Sequence, residues 1–162
     1  TYSMLSESES VKFFNVAQGG CMNESRKPNP ESEITVNGVT FTHQKMFDVV
    51  DDFYTRLQQD PALKIPFQSV HDWPEHIERL THFWWTRFGG AAYMFAEYNP
   101  PMKHFYAGFN DELLKRWIEI FTETLKDHLQ PEQIKLWGLI AIRMGESLSM
   151  KNEHLKQTMG PK

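Results

Sequence analysis

Between residues 42 and 151, apolar side chains recur at every third or fourth position in four separate stretches. This spacing puts them on one face of an α-helix, so the pattern predicts four amphipathic helices. The stretches are bounded by typical helix starts and stops, which are Asp60-Pro61, Gly89-Gly90, Asn110 and Pro131. The fourth helix is expected to fade into a polar tail after Lys151. The chain should therefore bury its core between helices.

Residues 1–41 differ in composition from the rest, being rich in Ser, Glu, Asn and Gly. We predict a partly flexible N-terminal extension here and one helical domain over residues 42–158. Within the extension, Asn37-Gly38 separates two β-branched runs, which predicts a β-hairpin over residues 34–41. Because a lone two-stranded hairpin is only marginally stable in water, we expect it to pack against the helical body.

Charge, cysteine content and hydropathy exclude several classes of protein. The net charge of −4 provides no basic surface for nucleic acid. No apolar run approaches the roughly 20 residues that a membrane span requires. The single cysteine, Cys21, excludes an internal disulfide and a cysteine-based zinc site. The polar, acidic start does not resemble a secretion signal, so we predict a soluble cytoplasmic protein without nucleic-acid or membrane partners.

Three predicted helical stripes each carry a side chain with an apolar body and a polar tip. These side chains are Tyr54, His76 and Trp117. A tip of this kind needs a hydrogen-bond partner when it is buried. Each residue alone is most simply a core residue with a local partner. Three such residues on three helices favour a shared polar site.

A connection of about 20 residues, interrupted by Pro100-Pro101, joins the second and third helices, and long loops in compact domains are usually functional. His104 lies in it and is the only histidine between Phe83 and Trp117. An imidazole beside an aromatic helical body is what a haem iron requires, namely an axial nitrogen and apolar surroundings. A lone histidine is more often an ordinary surface or core residue, so His104 alone does not decide the function.

Three strings of the chain resemble the truncated haemoglobins, most of all their third group. The strings are Phe53 to Leu63 with Ile65-Pro66-Phe67, Trp73 to Trp84, and Arg116 to Leu125. The resemblance covers roughly residues 42–150. It implies an all-α truncated globin fold, a two-over-two helical sandwich around haem b, here preceded by an N-terminal extension.

The resemblance also implies the roles of individual residues. His104 matches the proximal haem ligand and is the residue predicted to bind the metal. Tyr54, His76 and Trp117 match residues on the distal side, where gas binds, and Phe67 matches a phenylalanine that packs against the haem. The complete set of predicted haem-binding residues is His104, Phe67, Tyr54, His76, Trp117 and Phe83.

A haem protein of this family is expected to bind dioxygen, carbon monoxide and nitric oxide. The phenol of Tyr54 and the indole of Trp117 are donors that predict slow oxygen release, which favours redox chemistry on nitric oxide or peroxide over oxygen delivery. Turnover requires an external reductase, because the sequence has no flavin or nicotinamide fingerprint. Two alternatives stay open: a globin sensor that signals through the N-terminal extension, and a haem-free helical interaction module.

The remaining histidines are interpreted as surface or loop residues. His82 follows His76 by six positions, so we expect it near the opposite side of the second helix. The others in this group are His43, His71, His128 and His154.

Overall fold

The computed structural model describes residues 27–68, 70–94 and 110–159. Within these ranges the chain forms a two-stranded antiparallel hairpin and four α-helices. The elements are β1 (Glu33–Val36), β2 (Val39–Thr42), α1 (His43–Gln59), α2 (Trp73–Arg87), α3 (Asp111–His128) and α4 (Pro131–Met159). The predicted all-α fold with a small N-terminal hairpin is therefore confirmed.

The hairpin forms at the predicted turn and packs on the helices. Asn37 and Gly38 both have positive φ, 50° and 78°, as a two-residue turn between right-twisted strands requires. Phe41 of β2 is only 1% exposed. Its ring centroid lies 5.1 Å from that of Phe88 and 5.7 Å from that of Trp137. The hairpin is thus held to the helical body by a core side chain.

Three helices begin at side-chain caps that the sequence supplies. The capping side chains are those of Thr42, Asp72 and Asn110, and each accepts a hydrogen bond from the backbone amide three residues later. Such caps satisfy amides that have no partner inside the helix. The predicted cap at Asn110 and the predicted start of α4 at Pro131 are both confirmed.

The fourth helix is longer than predicted. We expected it to fade after Lys151, but α4 continues to Met159. That expectation was wrong because residues 152–159 contain no glycine or proline and include good helix formers. A mostly polar sequence therefore continues the helix beyond Lys151. Although α4 has 29 residues, neither it nor another described helix has an apolar stretch long enough to cross a membrane.

The helices pack against one another in a continuous series. Helix α1 lies against α2 and α3, and α3 lies against α4. At the contact of α1 with α3, Asp52 accepts hydrogen bonds from Arg56 at 2.9 Å and from His128 at 2.7 Å. Burial raises the pKa of Asp52, but the hydrogen bonds from Arg56 and His128 outweigh it and hold that pKa below its usual range.

The core contains an aromatic cluster where α2, α3 and α4 meet. Trp84, Phe121 and Trp137 are buried, with ring centroids 5.5–5.8 Å apart. Trp117 stacks on Phe121 at 5.0 Å with the ring planes 10° apart. Aromatic pairs in such geometries contribute about 0.5–1.5 kcal/mol beyond the burial of their area. This stacking connects the core directly to Trp117, one of the predicted site residues.

Candidate functional site

Several predicted site residues come from different elements and meet at one place. Tyr54 lies on α1, His76 on α2, and Phe67 in the turn that follows α1. The ring of Tyr54 lies 5.5 Å from that of His76 and 5.9 Å from that of Phe67, both nearly perpendicular. Trp73 lies 5.4 Å from His76 and 6.1 Å from Tyr54. We call Tyr54, Phe67, Trp73 and His76 the Tyr54 cluster.

Trp117 reaches the same region through Phe53. The ring of Phe53 lies 5.0 Å from that of Tyr54 and 5.0 Å from that of Trp117, edge to face in both cases. Phe53 is buried, while Trp117 is half-buried. Two predicted hydrogen-bond donors, the phenol of Tyr54 and the indole of Trp117, therefore flank a single buried ring.

The other two predicted site residues are placed differently. Phe83 follows His76 by seven positions, which is two turns along the same face of α2, and its ring lies 5.5 Å from that of Trp84. Phe83 is half-buried and lies on the face of α2 that carries His76. His104 lies outside the described residues, so its assignment as the iron ligand stays a prediction.

The face that carries the Tyr54 cluster is aromatic and incompletely buried. Its half-buried side chains are those of Phe67, Trp73, His76, Phe83 and Trp117. By contrast, Phe53 and Phe121, one layer deeper, are almost inaccessible. Partly exposed large rings gain free energy when a further apolar group covers them. A flat apolar cofactor such as haem fits this face, and phenol, imidazole and indole groups supply polar contacts for a small ligand beside it.

Asp60 fixes the elements on either side of the cluster. Its buried carboxylate accepts hydrogen bonds from the backbone amides of Ala62 and Leu63, both at 3.1 Å. The other carboxylate oxygen accepts from Arg116 Nε of α3 at 2.8 Å. Burial raises the pKa of Asp60, but the bonds from Arg116, Leu63 and Ala62 outweigh it and hold that pKa below its usual range. Asp60 therefore ties the turn after α1 to the residue next to Trp117.

Sequence reasoning missed two residues of this region, Trp73 and Phe53. Trp73 precedes His76 by three positions, and residues three apart are neighbours on a helix surface, so a local signal existed. The role of Phe53 depends on its contact with Trp117 of another helix, which local spacing does not reveal.

Two histidines that we interpreted as surface residues are buried. His82 is 1% exposed and His43 is 4% exposed, so both interpretations were wrong. The reason is that the chain after α2 turns back, so that Tyr93 and Met94 cover His82 and the side chain of Tyr93 covers His43. His71 and His154 are exposed, as predicted, and His128 is partly buried.

Comparison with known proteins bears on the same part of the chain. The family model described as bacterial-like globin matches residues 40–143, a range that includes the Tyr54 cluster, Trp117 and His104. Neither a search of curated proteins nor a search of solved structures returned a match. The family consists of haem globins that bind small gas molecules. Because the matched range covers more than half of the sequence, this chain belongs to the bacterial-like globin family.

Proposed function

We propose that this chain binds haem b through His104 and binds dioxygen, carbon monoxide and nitric oxide beside Tyr54, His76 and Trp117. The observation that carries the proposal is the Tyr54 cluster, in which α1, α2 and the turn between them bring donor-bearing aromatic side chains to one incompletely buried face. His104 would hold the haem, and the bound haem would supply an iron that could bind a diatomic gas beside Tyr54, His76 and Trp117. We also propose the third group of truncated haemoglobins as the subgroup.

Tyr54 and Trp117 are the proposed hydrogen-bond donors to the gas. Edge contacts with Phe53 restrict both rings, so their polar tips lose little rotamer freedom when they donate. A hydrogen bond to an acceptor that carries negative charge contributes about 1.5–3 kcal/mol. Each donor would therefore slow ligand release about tenfold or more.

His76 is the proposed residue at the entrance to the gas site. Its ring is nearly perpendicular to those of Tyr54 and Trp73, which lie 5.5 Å and 5.4 Å away. Contacts with both rings favour a fixed position for the imidazole. In that position His76 narrows the access of small molecules to the phenol of Tyr54.

Slow release favours turnover of nitric oxide or peroxide over oxygen delivery. Electrons for such turnover would come from a separate reductase, because the sequence has no flavin or nicotinamide fingerprint. A reductase is therefore the protein partner that the proposal requires.

The absorption spectrum of the full chain reconstituted with haem tests the proposal. We expect a Soret band in the purified protein and a further shift when carbon monoxide is added to the ferrous form. A colourless protein after reconstitution contradicts the proposal and favours the alternative of a haem-free helical interaction module.

The packing of the hairpin bears on the alternative of a sensor. Since Phe41 is part of the core, the hairpin packs against Phe88, which caps the end of α2, and against Trp137 of α4. A truncation that tests signalling through the extension should therefore remove only residues 1–26. If the extension reports the ligand state, this truncation must change ligand affinity, because coupling between two sites is reciprocal.

A further inference from the structure

We propose that His82 is a positioning residue for the iron ligand. Its buried imidazole holds Tyr93 and Met94, the last described residues before the stretch of chain that carries His104. The inference rests on the proposed function, since it takes His104 as the residue that binds iron. We call His43, His82, Tyr93 and Met94 the Tyr93 anchor.

The imidazole of His82 binds the backbone directly. Its Nε2 accepts hydrogen bonds from the backbone amides of Tyr93 at 3.2 Å and of Met94 at 3.3 Å. Because both partners are N–H donors, this nitrogen carries the lone pair, and the ring is neutral. Burial lowers the pKa of His82 to about 4, which agrees with a neutral acceptor at physiological pH.

The side chain of Tyr93 makes a second attachment, to α1. Its hydroxyl lies 2.8 Å from Nε2 of His43, the first residue of α1, and both side chains are buried. The ring of Tyr93 also packs edge to face on that of His82, with centroids 4.6 Å apart. The returning chain is therefore bound to two helices through both its backbone and a side chain.

The turn that leads into the anchor is specified by two glycines. Gly89 has φ of 98°, a conformation that favours glycine. The amide of Gly90 donates to the carbonyl of Trp85 at 2.9 Å, and a Cβ at Gly90 would lie 2.2 Å from Nε1 of the same tryptophan. This close approach directs the chain back across α2 toward His82.

The anchor has a consequence for the chain that follows it. His104 follows Met94 by ten residues and precedes Asn110, the cap of α3, by six. The described residues on either side of this stretch are both held: Met94 by the imidazole of His82, and Asn110 as the cap of α3. Without His82, the backbone amides of Tyr93 and Met94 would lose their buried hydrogen-bond acceptor.

Substitutions of His82 in the full chain reconstituted with haem test this inference. In His82→Leu we expect amide hydrogen exchange at Tyr93 and Met94 to accelerate at least tenfold. Transfer of haem to an excess of a scavenging apoprotein should accelerate about tenfold, and the iron–imidazole stretching band of the ferrous form should shift or broaden. His82→Gln keeps an acceptor at a similar reach and should restore part of each property. His82→Asn, which is shorter, provides a milder variant if the leucine variant folds poorly.

His128→Leu is the matched control, because it removes a second hydrogen-bonded histidine, this one partly buried, at a different place. It should leave exchange at Tyr93 and Met94, haem transfer and the stretching band unchanged. The inference is overturned if the amides of Tyr93 and Met94 stay protected in His82→Leu. It is also overturned if these amides exchange fast while haem transfer and the stretching band stay as in the wild type. Equal acceleration of haem transfer in His128→Leu also overturns it, since the effect would then be global. A colourless wild-type protein overturns the proposed function together with this inference, whereas a coloured wild type with unchanged haem transfer in His82→Leu overturns the inference alone.

Discussion

Helix α2 carries two histidines that each pack edge to face on a tyrosine, in two regions with different properties. In the Tyr54 cluster, half-buried His76 lies 5.5 Å from the ring of Tyr54. In the Tyr93 anchor, His82 is 1% exposed and lies 4.6 Å from the ring of Tyr93. The side-chain pairs are the same, but the surroundings are not.

The comparison shows that the role of a histidine depends on whether backbone amides donate to its imidazole. The Nε2 atom of His82 is occupied by two amide donors and sealed from solvent, so this residue serves the structure. His76 is half-buried among aromatic side chains on an incompletely buried face, and the proposed function places the gas ligand beside it. Changes in the anchor should therefore alter stability and haem retention, while changes in the cluster should alter the release of gas.

Lowering the pH should have the largest effect on the free energy of unfolding, and it should act through His82 of the anchor. The pKa of His82 lies near 4 in the folded chain against an ordinary value of 6.5, so only the unfolded state takes up this proton between those values. Stability from this group is complete above pH 6.5 and is lost as the pH falls to about 4. The gap corresponds to a loss on the order of 3 kcal/mol in the free energy of unfolding. Urea unfolding of the apoprotein between pH 7 and 4 measures it.

The titratable and charged groups around the anchor define the control for this titration. His43 and Tyr93 belong to the anchor, and Glu78 and Lys27 lie near it. Burial also lowers the pKa of His43, with a smaller contribution from the charge of Lys27. His82→Gln keeps all of these groups but cannot take up the proton at position 82. As the pH falls, the free energy of unfolding of His82→Gln should decrease less steeply than that of the wild type. Equal decreases in the two proteins would contradict the role assigned to His82.

Tyr93→Phe should have the next largest effect, again on stability. It removes the hydroxyl that lies 2.8 Å from Nε2 of buried His43, and a buried polar atom left without a partner costs about 1–3 kcal/mol. The urea midpoint should fall with an unchanged m-value. The oxygen dissociation rate should rise less than in Tyr54→Phe, and an equal or larger rise would remove the distinction between the two regions.

The same substitution in the other region, Tyr54→Phe, should give the opposite pattern. Loss of the phenol donor should raise the oxygen dissociation rate several-fold to about tenfold, as measured by stopped-flow mixing of the oxygenated protein with carbon monoxide. The stability change should be smaller than that of Tyr93→Phe. An unchanged dissociation rate would exclude Tyr54 from the gas site.

Lys27→Ala should have the smallest effect. Lys27 Nζ lies 2.9 Å from Glu78 Oε1, but both side chains are about half exposed, so solvent screens the pair. We expect the free energy of unfolding to change by less than about 0.5 kcal/mol. A loss above 1 kcal/mol by urea unfolding would mean that this exposed ion pair beside the anchor contributes as much to stability as a buried hydrogen bond within it.

The fold was largely predictable from the sequence because its determinants are local. Apolar spacing located the four helices, Asn110 and Pro131 marked two helix starts, and Asn37-Gly38 marked the hairpin. The end of α4 was not predictable in the same way, since a mostly polar sequence with high helix propensity continues the helix beyond Lys151.

The candidate site was predictable only in part. Tyr54, His76 and Phe67 lie close to one another, while the roles that the resemblance to truncated haemoglobins implies for them stay predictions. The anchor was missed because the environment of His82 depends on a chain that returns eleven residues later, and periodicity along α2 carries no information about such a contact. His43 was missed for the same reason, because its partner Tyr93 lies fifty residues away.

Replacement of His104 by glycine tests the central claim most directly. In His104→Gly the account predicts loss of the wild-type ferrous spectrum and of stable haem uptake, with recovery of both when imidazole is added to replace the missing ligand. The exposed His154, replaced in the same way, should leave the spectrum unchanged. A His104→Gly protein that retains haem with the wild-type spectrum in the absence of imidazole would contradict the account.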